Sequence, residues 1–308
     1  MTGNYMTENK KKRYLTEKTA EWTFTACGFI AVLAVASITV YMLLNGIPAL
    51  FRTGLTGLLF GTSWQPTAAE PSFGILFVIL TSIIGTAAAV LLGAPVGILT
   101  AVFIEETASK TLSALVKPAV ELLAGIPSVI YGLLGIYLLN PVMYQLELKI
   151  FANSPDHQFT GGANLISAVI VLAIMILPTV ISVSASALHA VPASQRAASL
   201  ALGATPVQTI FKVTLPSAKS GIAAAVVLGT GRAIGEAMAI TLVSGSSVNF
   251  PLPFHSVRFL TTAIVAEMGY ASGLHRQVLF TIGLVLFVFI MFINITLTKI
   301  LKGKEKKG

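Results

Sequence analysis

Long apolar runs are the feature of this sequence that most restricts how it can fold. A helix needs about 20 apolar residues to cross the hydrocarbon core of a bilayer, which is about 30 Å thick. The chain has 308 residues, of which 55% are hydrophobic and only 10% charged, a composition outside the usual range of soluble domains. Six stretches are long enough and lack dense charge: residues 22–44, 73–104, 118–139, 165–188, 221–245 and 278–297. The sequence therefore predicts an all-α, polytopic membrane protein with six transmembrane helices.

The second run is too long for one perpendicular crossing of a membrane. Gly93, Pro95 and Gly97 lie in its second half, and proline and glycine are residues at which helices bend. We therefore interpret residues 73–104 as one tilted or kinked helix.

The first run has the features of a membrane anchor that is retained. It follows residues 1–21, which are mainly charged and polar, and no small-x-small cleavage pattern accompanies it. Cys27 is the one cysteine of the chain and lies inside this run. A disulfide within the chain and a cysteine metal site are therefore excluded.

Positive charge predicts the orientation in the membrane, because short cytoplasmic loops carry an excess of lysine and arginine. With the N-terminus inside, 15 of the 20 lysines and arginines fall on inner segments. The outer loops hold Arg52, Lys149, Arg258 and Arg276, and Arg232 is left within the membrane. We therefore predict that both termini are cytoplasmic.

This topology divides the chain into three parts. Residues 1–21 form a cytoplasmic N-terminal segment, residues 22–298 the six-span transmembrane domain, and residues 299–308 a basic cytoplasmic tail. The net charge of +8 is explained by the topology and by contact with membrane lipid, so no nucleic-acid partner is inferred.

The motifs of common enzyme sites are missing from the sequence. No G-x-x-x-x-G-K-[ST] phosphate loop occurs, so the chain is not expected to bind or hydrolyse ATP. The four histidines lie on different loops without metal-ligand spacing, and no serine, histidine and aspartate arrangement stands out. We expect a protein that is not an enzyme and that holds no metal or cofactor of its own.

Residues 189–219, which we call the knuckle, form the longest inner loop and are too apolar for a plain tether. Helix-forming residues lead to Gly203, a residue suited to ending a helix. Thr205, Pro206 and Gln208 then supply an N-cap, a first-turn proline and a capping-box partner, and Pro216 is expected to stop the second helix. Two short helices at about 190–216 are predicted, which either lie on lipid headgroups or dock into a groove of a partner.

A charged pair interrupts the fifth apolar run. An arginine near the bilayer centre costs about 2.5–3.5 kcal/mol on insertion scales, so Arg232 should face protein or water. Glu236 follows four residues later, one helical turn along, and is expected within reach of it. Gly231 and Gly235 form a small-x-x-x-small ridge that lets another helix approach. Two interpretations are open. Either Arg232 and Glu236 neutralise each other and stabilise the packing of the helices, or they line a polar translocation pathway.

The knuckle resembles the coupling motif of ABC importer permeases, which reads Glu-Ala-Ala, three residues, Gly, nine residues, Ile-x-Leu-Pro. The resemblance implies that this segment contacts an ATPase subunit. Ala197 stands at the glutamate position and Arg196 beside it has the opposite sign, so a salt bridge made by that acid must be absent or supplied differently. The residues implied in coupling are Arg196, Ala197, Ala198, Gly203, Ala204, Thr205, Leu215 and Pro216.

Three further stretches resemble the permeases of the bacterial phosphate-specific ABC importer, and its C-type subunit (PstC) in particular. They are "PVGILTAVFIEE" at 95–106, "ELLAGIPSVIYGLLG" at 121–135 and "GRAIGEAMAI" at 231–240. One departure is Ala237, where a threonine is expected. The resemblance implies a type I ABC importer permease fold, location in the bacterial inner membrane and phosphate transport.

The resemblance also implies partners. They are a second homologous permease subunit, two cytoplasmic ATPase subunits that hold ATP and Mg, and an extracytoplasmic phosphate-binding protein. The loops at 45–72, 140–164 and 246–277 would face the binding protein, with a short helix predicted within 256–271 and Glu267 near its end.

Phosphate is an anion that a guanidinium binds through paired hydrogen bonds. A neighbouring carboxylate competes for the guanidinium, so the anion can be released again. We therefore predict that Arg232 and Glu236 are substrate-pathway residues. The alternatives are import of another oxyanion such as sulfate or molybdate, an ion-coupled secondary transporter, and a membrane scaffold without transport.

Overall fold

The structure is a computed structural model and describes residues 3–155 and 157–303, which are helical over most of their length. Its helices are α1 Gly3–Thr53, α2 Leu55–Phe60, α3 Leu76–Val102, α4 Lys110–Gly125, α5 Ser128–Leu134, α6 Asn140–Ile150, α7 Leu165–His189, α8 Ala193–Ala201, α9 Pro206–Thr209, α10 Leu215–Ser217, α11 Lys219–Gly235, α12 Met238–Val243, α13 Leu260–Glu267 and α14 Gly273–Gly303. The described ranges also hold three π-helical turns. Phe103–Thr107 follows α3, Gly135–Leu139 joins α5 to α6, and Ile210–Thr214 joins α9 to α10. A two-stranded antiparallel hairpin pairs β1 Trp64–Gln65 with β2 Ser72–Phe73.

The predicted polytopic, all-α fold is confirmed apart from the small hairpin. Within the described ranges, five helical stretches are long and apolar enough to cross a membrane. They are Glu17–Thr53, Leu76–Thr107, Ser128–Ile150, Leu165–His189 and Gly273–Thr296. A sixth is obtained when Pro206–Ser217 and Lys219–Gly235, which meet at a bend of 69°, are taken as one broken span.

The third predicted span, 118–139, is wrong in its boundaries. α4 ends at Gly125, Ile126 is extended with φ −70° and ψ 127°, and Pro127 caps a new helix. A residue before proline is pushed out of the helical region, and proline itself donates no backbone hydrogen bond. The crossing helix is therefore Ser128–Ile150, and α4 is a separate helix before it.

The fifth predicted span, 221–245, is also interrupted. α11 ends at Gly235, Glu236 is extended with φ −72° and ψ 130°, and α12 starts at Met238. The apolar composition continues through this break, which is why the run looked like one helix. The break lies next to the charged pair.

The second predicted span is one continuous stretch, Leu76–Thr107, as expected. Its helix continues through Pro95, and the two glycines near Pro95 serve close packing against α7. A Cβ at Gly93 would lie 2.8 Å from the Ala173 carbonyl oxygen, and one at Gly97 would lie 2.8 Å from Val180 Cγ1. Small residues of this kind let two membrane helices approach closely.

The core is built around α7, which packs against α3, α4, α5, α11 and α12. Its inward residues Leu172, Met175, Ile176 and Val180 are at most 1% exposed. α1 and α14 form a second pair, in which Gly283 lies against Met42. Most of the remaining surface of α1 is apolar and exposed, as for a helix that faces lipid or another membrane subunit.

The bundle has two ends that carry different structures. At one end, which we call the hairpin end, lie the β hairpin and the starts of α3, α7 and α14. There the Leu260 amide donates to Ser82 Oγ at 2.9 Å, and the Leu165 amide donates to the His255 carbonyl at 3.1 Å. The ends of α3 and α7 lie at the opposite end, beside the knuckle.

Candidate functional site

The candidate site centres on the helix break at Glu236. This residue leaves the helix, and its carboxylate Oε1 accepts a hydrogen bond of 3.0 Å from the Ala239 amide in the first turn of α12. Its backbone carbonyl accepts a 2.7 Å hydrogen bond from Thr261 Oγ1 of α13. Side-chain capping satisfies an amide that has no partner within the helix. The break is therefore a defined conformation held from two sides.

Arg232 lies in the last turn of α11 and is half-buried. Its Nη1 donates to Thr179 Oγ1 of α7 at 3.3 Å. The i,i+4 contact predicted with Glu236 is wrong, because the helix ends at Gly235 and the carboxylate turns to cap α12. Within the described part of the chain, Arg232 and Glu236 share no ion pair, so the interpretation in which they neutralise each other is not supported.

The glycines of α11 divide between a packed face and an open one. A Cβ at Gly229 would lie 2.9 Å from Val180 Cγ2, so this glycine allows α11 to approach α7. A Cβ at Gly231 or Gly235 would meet no heavy atom within 4 Å in the described structure. The face beside Arg232 is therefore uncovered, and a second helix could approach it.

The two helix breaks lie close together. α5, which follows the break at Pro127, packs against α12, which follows the break at Glu236. A Cβ at Gly132 would lie 2.9 Å from the Ala239 Cα, so glycine is what permits this contact. Tyr131 Oη donates to the Leu123 carbonyl at 2.7 Å and bridges the first break. The stretches 121–135 and 231–240, far apart in the sequence, thus form one structural unit.

The knuckle has the short helices expected. Gly203 has φ +87°, the left-handed conformation that ends α8. The capping box is present, with 3.2 Å from the Gln208 amide to Thr205 Oγ1 and 3.0 Å from the Thr205 amide to Gln208 Oε1. The second helical stretch, Pro206–Ser217, ends one residue after Pro216, as expected for a proline that stops it.

The knuckle presents an apolar surface with no partner in the described structure. Leu202 is 89% exposed, Val207 63% and Phe211 55%. Of the residues implied in coupling, Ala197, Ala198, Gly203, Thr205 and Pro216 are exposed, whereas Ala204 and Leu215 are half-buried. Their role in coupling stays a prediction. Their exposure is compatible with contact to a partner subunit.

Arg196 is placed differently from its neighbours in the knuckle. Its Nη2 pairs with Glu106 Oε1 at 2.7 Å and donates to the Leu188 carbonyl at 2.9 Å. Its Nη1 donates to the Val191 carbonyl at 3.2 Å. The guanidinium is thus turned towards the membrane-spanning helices of its own chain.

A buried charge cluster at the hairpin end was missed by sequence reasoning. Glu267, at the end of α13, pairs with Arg258 and with His275 Nε2 at 2.7 Å. Trp64 Nε1 of the hairpin donates to its carboxylate at 3.0 Å. The short helix predicted within 256–271 is present as α13, but no local spacing links Trp64 to a carboxylate some two hundred positions later.

A second buried carboxylate, also missed, is Glu147 near the end of α6. It is 0% exposed and pairs with His157 Nε2 at 2.9 Å. It also accepts hydrogen bonds of 3.0 Å from the amide and the hydroxyl of Thr160. Glu147 therefore fixes the loop between α6 and α7, beside a cavity of about 590 Å³ lined by His157, Thr160 and residues of the 245–256 loop.

The bundle of apolar spans, one of which bends into the exposed short helices of the knuckle, defines a multi-pass membrane protein. Residues 93–305 match the family described as "Binding-protein-dependent transport system inner membrane component". The chain belongs to this family.

Two relatives of similar sequence are both named as transport permeases. The chain is 37% identical over 303 residues to the "Probable ABC transporter permease protein YqgH" of Bacillus subtilis (strain 168), covering 97% of this chain and 94% of that protein. It is 32% identical over 269 residues to the "Phosphate transport system permease protein PstC" of Pasteurella multocida (strain Pm70), covering 84% of this chain and 83% of that protein. The predicted resemblance to phosphate permeases of the C type is thereby confirmed.

A solved structure shows the same fold. It is a bacterial ABC transporter involved in the import of the acidic polysaccharide alginate, with a TM-score of 0.55 and 17% identity. The match covers 91% of this chain and 98% of the other. The predicted ABC importer permease fold is confirmed, and the chain is a permease subunit of an ABC importer.

Proposed function

We propose that this permease subunit carries inorganic phosphate across the bacterial inner membrane in an ATP-driven importer. The observation that supports this most directly is Arg232, a half-buried guanidinium beside an uncovered face at a helix break. The 32% identity to a phosphate transport permease over 84% of the chain points to the same substrate.

The geometry of Arg232 suits transient anion binding. Its partner Thr179 is neutral and does not offset the positive charge, so the guanidinium can offer paired donors to phosphate oxygens. Glu236 holds the α12 cap through one carboxylate oxygen, Oε1. Its negative charge close to the site limits how tightly an anion is held, which release requires. A shift of α12 would move the Glu236 carboxylate relative to Arg232 and change the affinity of this site for phosphate.

The exposed surfaces of the chain support the assembly that we propose. A second permease subunit covers the open face of α11, and two ATPase subunits, which hold ATP and Mg, dock on the exposed apolar knuckle. A phosphate-binding protein delivers substrate at the hairpin end. The knuckle end is cytoplasmic in this arrangement, in keeping with the excess of lysine and arginine on the predicted inner segments, and both termini are cytoplasmic.

The test is phosphate uptake by the assembled complex in vesicles. Arg232→Gln removes the charge and its charge-assisted hydrogen bonds, so ATP-dependent uptake is expected to fall by about tenfold to a hundredfold. Arg13→Gln, a change at an exposed arginine near the start of α1, is the matched control and should transport normally. Uptake by Arg232→Gln equal to that of the control would contradict the proposed role.

The choice of substrate and energy source has its own test. ATPase activity of the complex should rise with a phosphate-loaded binding protein and not with sulfate-loaded or molybdate-loaded ones. Uptake should require hydrolysable ATP. A response to sulfate or molybdate alone would reassign the substrate, and uptake driven by a proton or sodium gradient without ATP would replace the proposal with a secondary transporter.

A further inference from the structure

Two adjacent carboxylates end the second span. Glu105 and Glu106 lie in the π-helical turn Phe103–Thr107, and their side chains are only 8% and 9% exposed. Glu105 pairs with Lys117 Nζ of α4 at 2.6 Å and with His189 Nδ1 at 3.3 Å. Glu106 pairs with Arg196 of the knuckle instead. Glu105 thus connects the end of this span to α4 and α7, whereas Glu106 connects it to α8.

Arg196 connects the knuckle to two spans at once. Its fork reaches Glu106 at the end of the second span, the Leu188 carbonyl in the last turn of α7, and the Val191 carbonyl just beyond that helix. A cation that binds the free carbonyls of a helix C-terminus also interacts favourably with the helix dipole. Three bonds from one planar group fix the direction of α8 relative to both spans, which a single contact could not do.

Polar contacts matter here because α8 has almost no apolar anchoring. None of its residues, Ala193–Ala201, is buried. Its other side-chain bonds join it to the rest of the knuckle: Ser199 Oγ to Thr209 Oγ1 at 2.9 Å, and Ser217 Oγ to Gln195 Oε1 at 2.9 Å. These bonds would move together with the knuckle. Arg196 is the described side chain of α8 that bonds directly to the spans.

We propose that Glu106 and Arg196 are positioning residues that form a strut, through which displacement of the knuckle is transmitted to α3 and α7. The charge-assisted bond between them stiffens a joint that would otherwise rotate, so motion imposed on α8 reaches the membrane helices. Glu105 braces α4 and the end of α7 and is not part of this joint. The inference rests on the proposed function in so far as the motion comes from ATPase subunits docked on the knuckle.

The experiment compares Glu106→Gln with Glu105→Gln in the complete complex. Both substitutions remove one carboxylate charge from the same turn, but only the first removes the charge that strengthens the bond from Arg196. Hydrogen–deuterium exchange of the α8 amides is expected to accelerate by about tenfold in Glu106→Gln, because the remaining amide oxygen accepts only a weaker hydrogen bond without charge on the acceptor. ATPase stimulation by the loaded binding protein should fall several-fold in the same variant. Glu105→Gln should change neither quantity.

A double-mutant cycle distinguishes a direct strut from general damage. Glu106→Gln combined with Arg196→Gln should be no worse than the more affected single variant, because each substitution removes the charge attraction of the same contact. Additive effects would contradict the strut. Should Glu106→Gln not assemble, Arg196→Lys tests the same contact. Lysine keeps the charge but lacks the two separate guanidinium nitrogens that reach the three acceptors, so α8 exchange should again accelerate.

The two proposals fail separately. Unchanged α8 exchange and unchanged stimulation in Glu106→Gln, with phosphate still transported, overturn the strut and leave the proposed function intact. Faster α8 exchange in a complex that transports another anion supports the strut and overturns the choice of phosphate. The exchange measurement needs no substrate, which keeps the two outcomes distinct.

Discussion

Glu236 shows how one side chain acquires a role that its position in the sequence does not reveal. Four residues after Arg232, it was expected to pair with the guanidinium across one helical turn. In the structure the carboxylate caps α12 and Arg232 contacts Thr179. A capped break needs an acceptor at this position, and an acceptor need not be charged. The structural and transport roles of Glu236 can therefore be separated by substitution.

Glu236→Gln keeps an oxygen acceptor for the Ala239 amide, so the complex should assemble with nearly unchanged stability. Glu236→Ala removes the cap and is expected to cost about 0.5–2 kcal/mol of stability. Apparent melting temperature of the purified complex measures this difference, and phosphate uptake measures the other role. Uptake should be altered in both variants. Normal uptake by Glu236→Gln would show that the charge takes no part in transport.

Glu267 joins several elements at the hairpin end. Its buried carboxylate joins Arg258, His275 and Trp64. Glu267→Gln leaves Arg258 partly buried without its counter-charge, which is expected to cost about 3–5 kcal/mol. Thermal unfolding of the complex measures this loss. Glu70→Gln, at an exposed carboxylate, is the control and should melt like the parent protein, and equal melting of both variants would show that the cluster does not stabilise the fold.

The short helices α8 and α9 present the exposed apolar surface of the knuckle. α8 and α9 are separated by a turn that depends on Gly203, where φ is +87°. Among the described residues other than its chain neighbours, none has a heavy atom within 4 Å of a Cβ built there, so a side chain would be disfavoured by backbone conformation alone. Such a turn sets the angle between the two helices that present the apolar knuckle surface.

Gly203→Ala is expected to destabilise this turn by about 1–2 kcal/mol, the cost of the left-handed conformation for a residue with a Cβ. The Gly203 and Ala204 amides donate to the Leu200 and Ser199 carbonyls at 3.0 and 3.2 Å. Hydrogen exchange of the amides at 203 and 204 should therefore accelerate. Gly125→Ala, at another open glycine without positive φ, is the matched control, and similar exchange in both variants would contradict the strain argument.

The whole chain has surfaces that it does not cover itself. Much of α1 and the face of α11 beside Arg232 are open. Lipid can cover an apolar helix, but an arginine near mid-membrane needs protein or water. The open face of α11 is therefore where the second subunit of the proposed assembly fits, whereas α1 has no such requirement. This difference predicts which substitutions disturb assembly.

Gly231→Leu and Gly28→Leu both place a large side chain on an open helical glycine. The first is expected to block the close approach of the second permease subunit and to reduce co-purification of the two permeases strongly. The second, on α1, should assemble normally. The yield of each variant alone in the membrane, measured beside co-purification, separates failed assembly from failed folding, and equal co-purification would contradict the proposed interface.

Local chemistry was sufficient to predict much of this molecule. The apolar runs at 165–188 and 278–297 became spans because helix length against bilayer thickness is a property of the run itself. The capping box at Thr205 and the helix end at Gly203 formed as predicted, since both depend on residues within five positions of each other.

Only the tertiary structure decided the breaks and the ion pairs. The break at Glu236 is held by Thr261, 25 positions later, and Arg196 meets Glu106 across 90 positions. The sequence around a carboxylate does not decide whether it pairs with a cation, caps a helix or lines a pathway. Its role depends on which hydrogen-bond donors other helices place beside it, and the packing of the whole bundle sets the positions of those donors.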